Sequence, residues 1–205
     1  MEVARRSLFR RLHSISGVVP VGAFLGFHLY VNAAALRGAD AYNAMARRLH
    51  ALPLVVLLEV LVVALPIFFH GIYGLFLTAT EPPEAGRPDR GLRTLAIFQR
   101  VTGVLLFGFI LFHLWTARLV QVRDHESLDL FRLMQAVLSS PWMHAAYVAG
   151  LLGATAHLSV GIFTFTDAWG LAPSTRSRRL VAAVAVVVFA ILSSLGLRSL
   201  AAFRL

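Results

Sequence analysis

The chain contains no cysteine, which excludes iron–sulfur clusters, thiolate zinc sites and a disulfide-stapled secreted scaffold within it. It contains no lysine either: all 19 basic residues are arginine, against 10 acidic ones. Charged side chains make up only 14% of its 205 residues, where soluble domains carry about a quarter. With 58% hydrophobic residues, that scarcity excludes an ordinary cytosolic enzyme and a disordered tail. A net charge of +9 in so apolar a chain belongs on membrane-facing loops, and nucleic acid is not expected as a partner. Any redox chemistry must therefore use ligands other than thiolates.

A helix needs roughly 20 mostly apolar residues to cross the hydrocarbon of a bilayer. Five stretches qualify, at about 12–36, 52–80, 101–120, 141–166 and 180–197. The expected fold is all-α and integral to the membrane, one five-span bundle over residues 1–205. Short connections leave no room for a separate catalytic domain. Glu81-Pro82-Pro83-Glu84-Ala85-Gly86-Arg87-Pro88 and Pro173-Ser174-Thr175-Arg176 break the chain between spans. Residues 37–50 and 128–138 read as short amphipathic helices, with Tyr42, Met45 and Leu49 on one stripe and Leu130, Phe131, Leu133, Met134 and Val137 on the other. Both are expected in the interface on one side of the membrane.

Eleven arginines fall at the ends sharing the N-terminal side (5, 6, 10, 11, 87, 90, 93, 100, 176, 178, 179) and eight at the opposite ends (37, 47, 48, 118, 123, 132, 198, 204). The positive-inside rule then places the N-terminus in the cytoplasm and the C-terminus outside. The basic start with an apolar run also resembles a cleaved signal peptide, but the run is span-length and holds Pro20 and His28.

Four of the eight histidines lie inside apolar spans: His28, His70, His113 and His157. Ionisable groups at membrane depth are costly and point to function, although histidine also bonds helix to helix. Spans one and three run in the same direction, and spans two and four run against them. Each histidine lies about 13–18 residues inside its span, or about 22 Å of helix. Topology thus sorts them into two coplanar pairs, His28 with His113 in the outer half and His70 with His157 in the inner half. Facing imidazoles across a bundle suit the two axial positions of a haem, and closing both favours electron transfer. Copper or zinc is the alternative, but no carboxylate or thiol accompanies either pair.

Internal similarity supports the pairing. Phe27-His28-Leu29 resembles Phe112-His113-Leu114, Gly17-Val18 resembles Gly103-Val104, and His70 and His157 each have glycine four residues on, at Gly74 and Gly161. For haem propionates, Arg11, His13, Ser14, Gln99 and Arg100 are candidates at the inner ends, with Arg37 and Arg118 at the outer ends; interface arginines that snorkel are the alternative. Glu59, about 16 Å outward of His70, is a candidate to exchange protons with a quinone, or else a hydrogen-bonded or interfacial acid. His50, His125, His144 and Asp167 are expected in loops or at interfaces.

The phrases Arg10-Arg11-Leu12-His13-Ser14, Gly17-Val18-Val19-Pro20-Val21-Gly22, Arg37-Gly38-Ala39, Leu65-Pro66, Gln99-Arg100-Val101-Thr102-Gly103, Leu138-Ser139-Ser140-Pro141 and Trp169-Gly170 resemble the single-chain, two-haem cytochrome b anchor of bacterial succinate dehydrogenase (succinate:menaquinone oxidoreductase). The resemblance covers nearly the whole chain and includes the four intramembrane histidines. It implies five spans in the bacterial inner membrane, anchoring a cytoplasmic flavoprotein subunit and an iron–sulfur subunit. Electrons from succinate would pass through two haems b to menaquinone, with His28 and His113 on the outer, low-potential haem and His70 and His157 on the inner one. Quinone reduction outside would couple the reaction to the membrane potential, at about 2.3 kcal/mol per charge per 100 mV. Fumarate reductase anchors are similar and run the reverse reaction. The multi-span cytochromes of nitrate reductase, formate dehydrogenase and hydrogenase are alternatives, as is a transporter using histidines for protons or metal ions.

Overall fold

The computed structural model describes residues 2–81, 90–116 and 129–204, with side chains from residue 8 onward. Among these the chain is almost wholly helical and holds no strand. Five helices are long and apolar enough to span a membrane: Leu8–Arg37, Val55–Thr80, Arg90–Leu114, Pro141–Ala168 and Thr175–Ala202. Most of their surface points outward and is apolar. Leu105, Val186 and Ile191 are all well exposed, as lipid-facing side chains are.

Span one is composite. It runs through α1 (Glu2–Ser16), a π turn (Gly17–Val21), α2 (Gly22–Asn32) and a 3₁₀ turn (Ala33–Arg37). The π turn carries Pro20, whose ring would meet the carbonyl four residues back in a regular α-helix. Gly38, at φ 93°, turns the chain into α3 (Ala39–His50), a conformation glycine adopts without penalty. Span two contains α4 (Val55–Leu58), a second π turn (Glu59–Ala64) and α5 (Leu65–Thr80), and it begins after Leu54 at φ 58°. Spans three (α6, Arg90–Leu114), four (α8, Pro141–Ala168) and five (α9, Thr175–Ala202) are α-helical over those ranges, and α7 (Leu130–Leu138) lies between three and four.

Several boundaries differ from the sequence expectation, and at the approaches to spans three and five the reason is physical: helices do not stop where hydrophobicity does. Span three is already helical at Arg90, the first described residue after the loop, rather than from Val101, because the arginine-rich approach is itself helical, with Thr94 Oγ1 donating to the Arg90 carbonyl at 3.0 Å. Span five starts at Thr175 rather than Leu180, because Ser174 and Ser177 form a reciprocal capping box. The Pro-rich loop from Pro82, the end of span three from Ala117, and Arg87, Arg118, Arg123 and His125 lie outside the described residues.

The two amphipathic helices do share one side. Asn43 of α3 donates its amide to Asp129 Oδ1 at 2.8 Å and accepts the Phe131 backbone N–H at 3.1 Å. Tyr42, Phe131 and Phe203 stack edge-on or tilted, at centroid separations of 5.0–6.1 Å. With Ala35, Met134, Leu138 and Tyr147 they form the tightest core of the molecule, in which Leu138 is 0% and Phe203 1% exposed. Span five is sealed to span four by Thr155 and Ser193, whose hydroxyls meet at 2.8 Å, and by Gly196, which admits Leu151. Packing is thus densest at the end away from the N-terminus.

Candidate functional site

The structure brings the four intramembrane histidines together two by two. His70 and His157 have ring centroids 6.2 Å apart with planes at 83°, and His28 and His113 have centroids 5.7 Å apart with planes at 82°. Spans one and three supply one pair and spans two and four the other, as opposed chain directions require.

The pair nearer the N-terminal end sits in a polar shell. His13 stacks face to face on His70 at 4.2 Å, and its carbonyl accepts from His70 Nδ1 at 2.9 Å. The tautomer with hydrogen on Nδ1 leaves the His70 Nε2 lone pair free for a ligand bond. His157 Nδ1 lies 2.9 Å from Thr102 Oγ1, whose own proton has a partner in the Phe98 carbonyl at 2.7 Å. Gln99 Nε2 contacts both the His157 carbonyl (3.1 Å) and His157 Nε2 (3.2 Å), while its Oε1 is buried with no hydrogen-bond partner among the described residues. Two glycines make room: a Cβ on Gly17 would lie 2.3 Å from His70 Cε1, and one on Gly103 would lie 3.2 Å from His157 Cε1.

The far pair is set among aromatic rings. His113 packs near Phe109 at 5.9 Å and Tyr147 at 5.5 Å, and Phe24 lies 5.5 Å from His28. The Tyr147 hydroxyl meets Thr116 Oγ1 at 2.6 Å, and buried His113 Nδ1 has no hydrogen-bond partner among the described residues. Asn32 joins the pair to the interfacial helix. Its amide donates to the His28 carbonyl at 2.8 Å and lies 3.3 Å from His28 Nε2, and its Oδ1 accepts from Tyr42 at 3.2 Å. Burial first, and Tyr147 next, push the Tyr42 phenol up to about 12, so its hydroxyl remains a donor at neutral pH.

The other predicted residues divide. Arg11 and Ser14 sit at the N-terminal end against Trp169: the Arg11 guanidinium lies 5.5 Å over the indole, and Trp169 Nε1 donates to Ser14 Oγ at 3.3 Å. With Arg10 and Ala168 they line a cavity of about 450 Å³. Arg100 instead donates to the Glu81 carbonyl, and Arg10 pairs with the Glu81 carboxylate. Gln99, expected beside Arg100, is turned onto His157. Gly74 and Gly161 face His13 and Gln99, so the glycine after each histidine admits a polar side chain from the preceding odd-numbered span. Glu59 is half-buried at the start of the span-two π turn, and Arg37 is exposed. His50 donates within its own helix to Ala46, and Asp167 pairs with Arg178 at 3.0 Å.

Thr102, Asn32, Tyr42, Tyr147 and Trp169 were not singled out from sequence as parts of the site. Thr102 and Asn32 had a signal available, as polar residues within a turn or three of a site residue on an otherwise apolar helix. The aromatic residues had none, since rings are common in every span.

A sequence profile for the succinate dehydrogenase/fumarate reductase transmembrane subunit family matches residues 93–193, which contain His113, His157 and most of their shell. The chain is 38% identical over 199 residues to the succinate dehydrogenase cytochrome b558 subunit of Bacillus subtilis (strain 168), covering 97% of this chain and 98% of that one. The matched stretch takes in nearly the whole chain, and the chain belongs to the succinate dehydrogenase/fumarate reductase transmembrane subunit family.

Proposed function

We propose that this chain is the membrane-anchor cytochrome b subunit of a succinate dehydrogenase, passing electrons from cytoplasmic flavoprotein and iron–sulfur subunits through two bis-histidine haems b to menaquinone. The observation that carries the reading is the double pairing of imidazoles. Two metal–nitrogen bonds of about 2 Å plus two ring radii separate axial imidazole centroids by about 6 Å, and the measured separations are 5.7 and 6.2 Å. Hydrogen bonding from Nδ1 to a carbonyl at His70 and to a hydroxyl at His157 is the outer-shell arrangement that fixes a metal-binding tautomer. Among the described residues no three His, Cys, Asp or Glu side chains are arranged to hold a single metal ion, so the arrangement favours a haem over a tetrahedral metal. Haem with both axial positions closed supplies one-electron transfer rather than oxygen chemistry.

The chain's own residues have definable parts. His28 and His113 would hold one ring, and His70 and His157 the other. Arg11 and Ser14, beside the N-terminal cavity, with His13 close to it, suit propionate carboxylates, and Arg100 is within the same end of the bundle. Gln99 would yield the Nε2 side of His157 to the iron. Glu59, on the less exposed face of span two, is the candidate proton donor to a quinone near the far pair. Counting arginines puts the N-terminus in the cytoplasm and the C-terminus outside, with residues 1–205 forming a single unit in the bacterial inner membrane.

Purification of the tagged chain from membranes tests this. Two b-type haems per chain, copurifying with a flavoprotein and an iron–sulfur subunit, are expected. Fewer than two haems, or a molybdenum or nickel enzyme in their place, would overturn it. The second reading, fumarate reduction, falls within the same family match, whose description names both activities. Comparing succinate-to-menaquinone with menaquinol-to-fumarate rates in the purified complex separates the two.

A further inference from the structure

The two hairpins share their glycine contacts but not their residue spacing. Gly17 faces His70 as Gly103 faces His157, and His13 faces Gly74 as Gln99 faces Gly161. Yet Gly17 and His28 are eleven residues apart, whereas Gly103 and His113 are ten apart. At about 100° per residue, ten residues leave a histidine about 80° short of its glycine's direction, and eleven carry it about 20° past. A regular α-helix in span one would thus swing His28 about 100° away from the direction His113 takes. The structure removes the discrepancy within Gly17–Val21, where Gly22 N–H bonds to the Gly17 carbonyl five residues back. A π turn takes up one residue without advancing the helix face. Span three, with one residue fewer, is α-helical throughout the equivalent stretch.

We propose that the π turn at Gly17–Val21 absorbs a one-residue insertion and so keeps His28 turned toward His113, making the turn a positioning element at this chain length that an α-helix one residue shorter would replace. Pro20 fits the widened turn but does not create it. The turn persists because the chain is held on both sides of it, Gly17 under the His70 ring and α2 by its buried Leu29. This inference rests on the bis-histidine reading given above for its haem readout only.

Three variants test it. Deleting Val19 together with Pro20→Ala shortens span one to the spacing of span three, and both haems should remain. Deleting Leu105 from span three, a lesion of the same size, should remove one of the two haems. Pro20→Ala alone, which leaves the chain length intact and is the mildest change, should keep both haems with unaltered α-band spectra. Loss of the haem that His28→Ala removes, in either variant carrying Pro20→Ala, overturns the proposal, as does retention of both haems after the Leu105 deletion. Because the chain has no native cysteine, nitroxides on His28→Cys and His113→Cys give a haem-independent readout. Their dipolar broadening should survive the Val19 deletion and weaken with the Leu105 deletion. If the unmodified chain proves to lack two haems, the proposed function fails while the label measurement still decides the register.

Discussion

Near the N-terminal end, His70 lies on His13 and donates to its carbonyl, and His157 is bracketed by Thr102 and Gln99. Near the far face, His113 is aligned by the rings of Phe109 and Tyr147, and its Nδ1 has no hydrogen-bond partner among the described residues. The first pair is oriented by directional hydrogen bonds from adjacent spans and the second mainly by shape. One bundle can therefore hold two chemically identical ligand pairs in different surroundings, which is a basis for two cofactors with different properties.

The largest effects should come from the ligands. Replacing His70 or His157 by Ala should remove one haem, and replacing His28 or His113 should remove the other, each leaving a reduced-minus-oxidised spectrum with a single component. Combining both members of one pair should add nothing, because the first change already empties that site. A double variant across the pairs should lose all haem. A His28→Ala spectrum matching that of His70→Ala would break the two-level comparison.

A glycine comparison comes next. At Gly17 the added methyl of an alanine meets a ring held on two sides, by stacking on His13 and by the His13 carbonyl, so the ring cannot step aside. Gly17→Ala should cost about 1–3 kcal/mol and disturb the haem of the His70 pair. Gly103→Ala needs only a few tenths of an ångström of movement from His157 and should leave haem content near normal. Thermal melting followed through the Soret band reads both, and equal sensitivity would contradict the tighter packing at His70.

Much of this was legible beforehand, and the reason is geometric. Span number, chain direction and histidine depth depend on hydrophobic length and rise per residue, which a sequence carries directly. His13 on His70, Gln99 turned away from Arg100, and the π turns depend on helix rotation and tilt, which change when one residue is absorbed. The clue at Gly17 lay in an eleven-residue spacing set against a ten-residue one, and only the observed contacts show which landmarks to compare. Span ends moved outward because helix formation at Arg90 and capping at Ser174 obey local rules rather than hydropathy.

Hydrogen-bond removal sharpens the contrast at smaller magnitude. Thr102→Val keeps the side-chain volume but leaves the His157 Nδ1 donor unpaired, and an unsatisfied buried donor costs about 1–3 kcal/mol. The haem of that pair should show a shifted midpoint potential. Tyr147→Phe keeps the ring beside His113 and removes only the bond to Thr116, which is worth about 1 kcal/mol. It should lower the melting temperature slightly with no change in haem potential. A potential shift in Tyr147→Phe larger than in Thr102→Val would mean that the far pair, too, is tuned by polar contacts.

The smallest expected effect lies outside the spans, at the clamp between α3 and α7. Asp129 caps α7 by accepting the Arg132 backbone N–H at 3.1 Å and also accepts from Asn43. Those two bonds, the backbone one first, hold its carboxyl below the usual carboxylate range. A carboxylate with a depressed folded-state pKa stabilises fully above its unfolded value, near 4, and the contribution fades as pH falls through the folded value. Asp129→Asn retains an oxygen for the cap, so it should match the parent chain's stability more nearly at pH 3 than at pH 7. Asp129→Ala should be weaker than Asp129→Asn at both pH values, because it also leaves Asn43 without that partner. Detergent-solubilised melts at the two pH values read the difference. An Asp129→Asn deficit that grows on acidification would reverse the sign argued here and detach the clamp from the Asp129 charge.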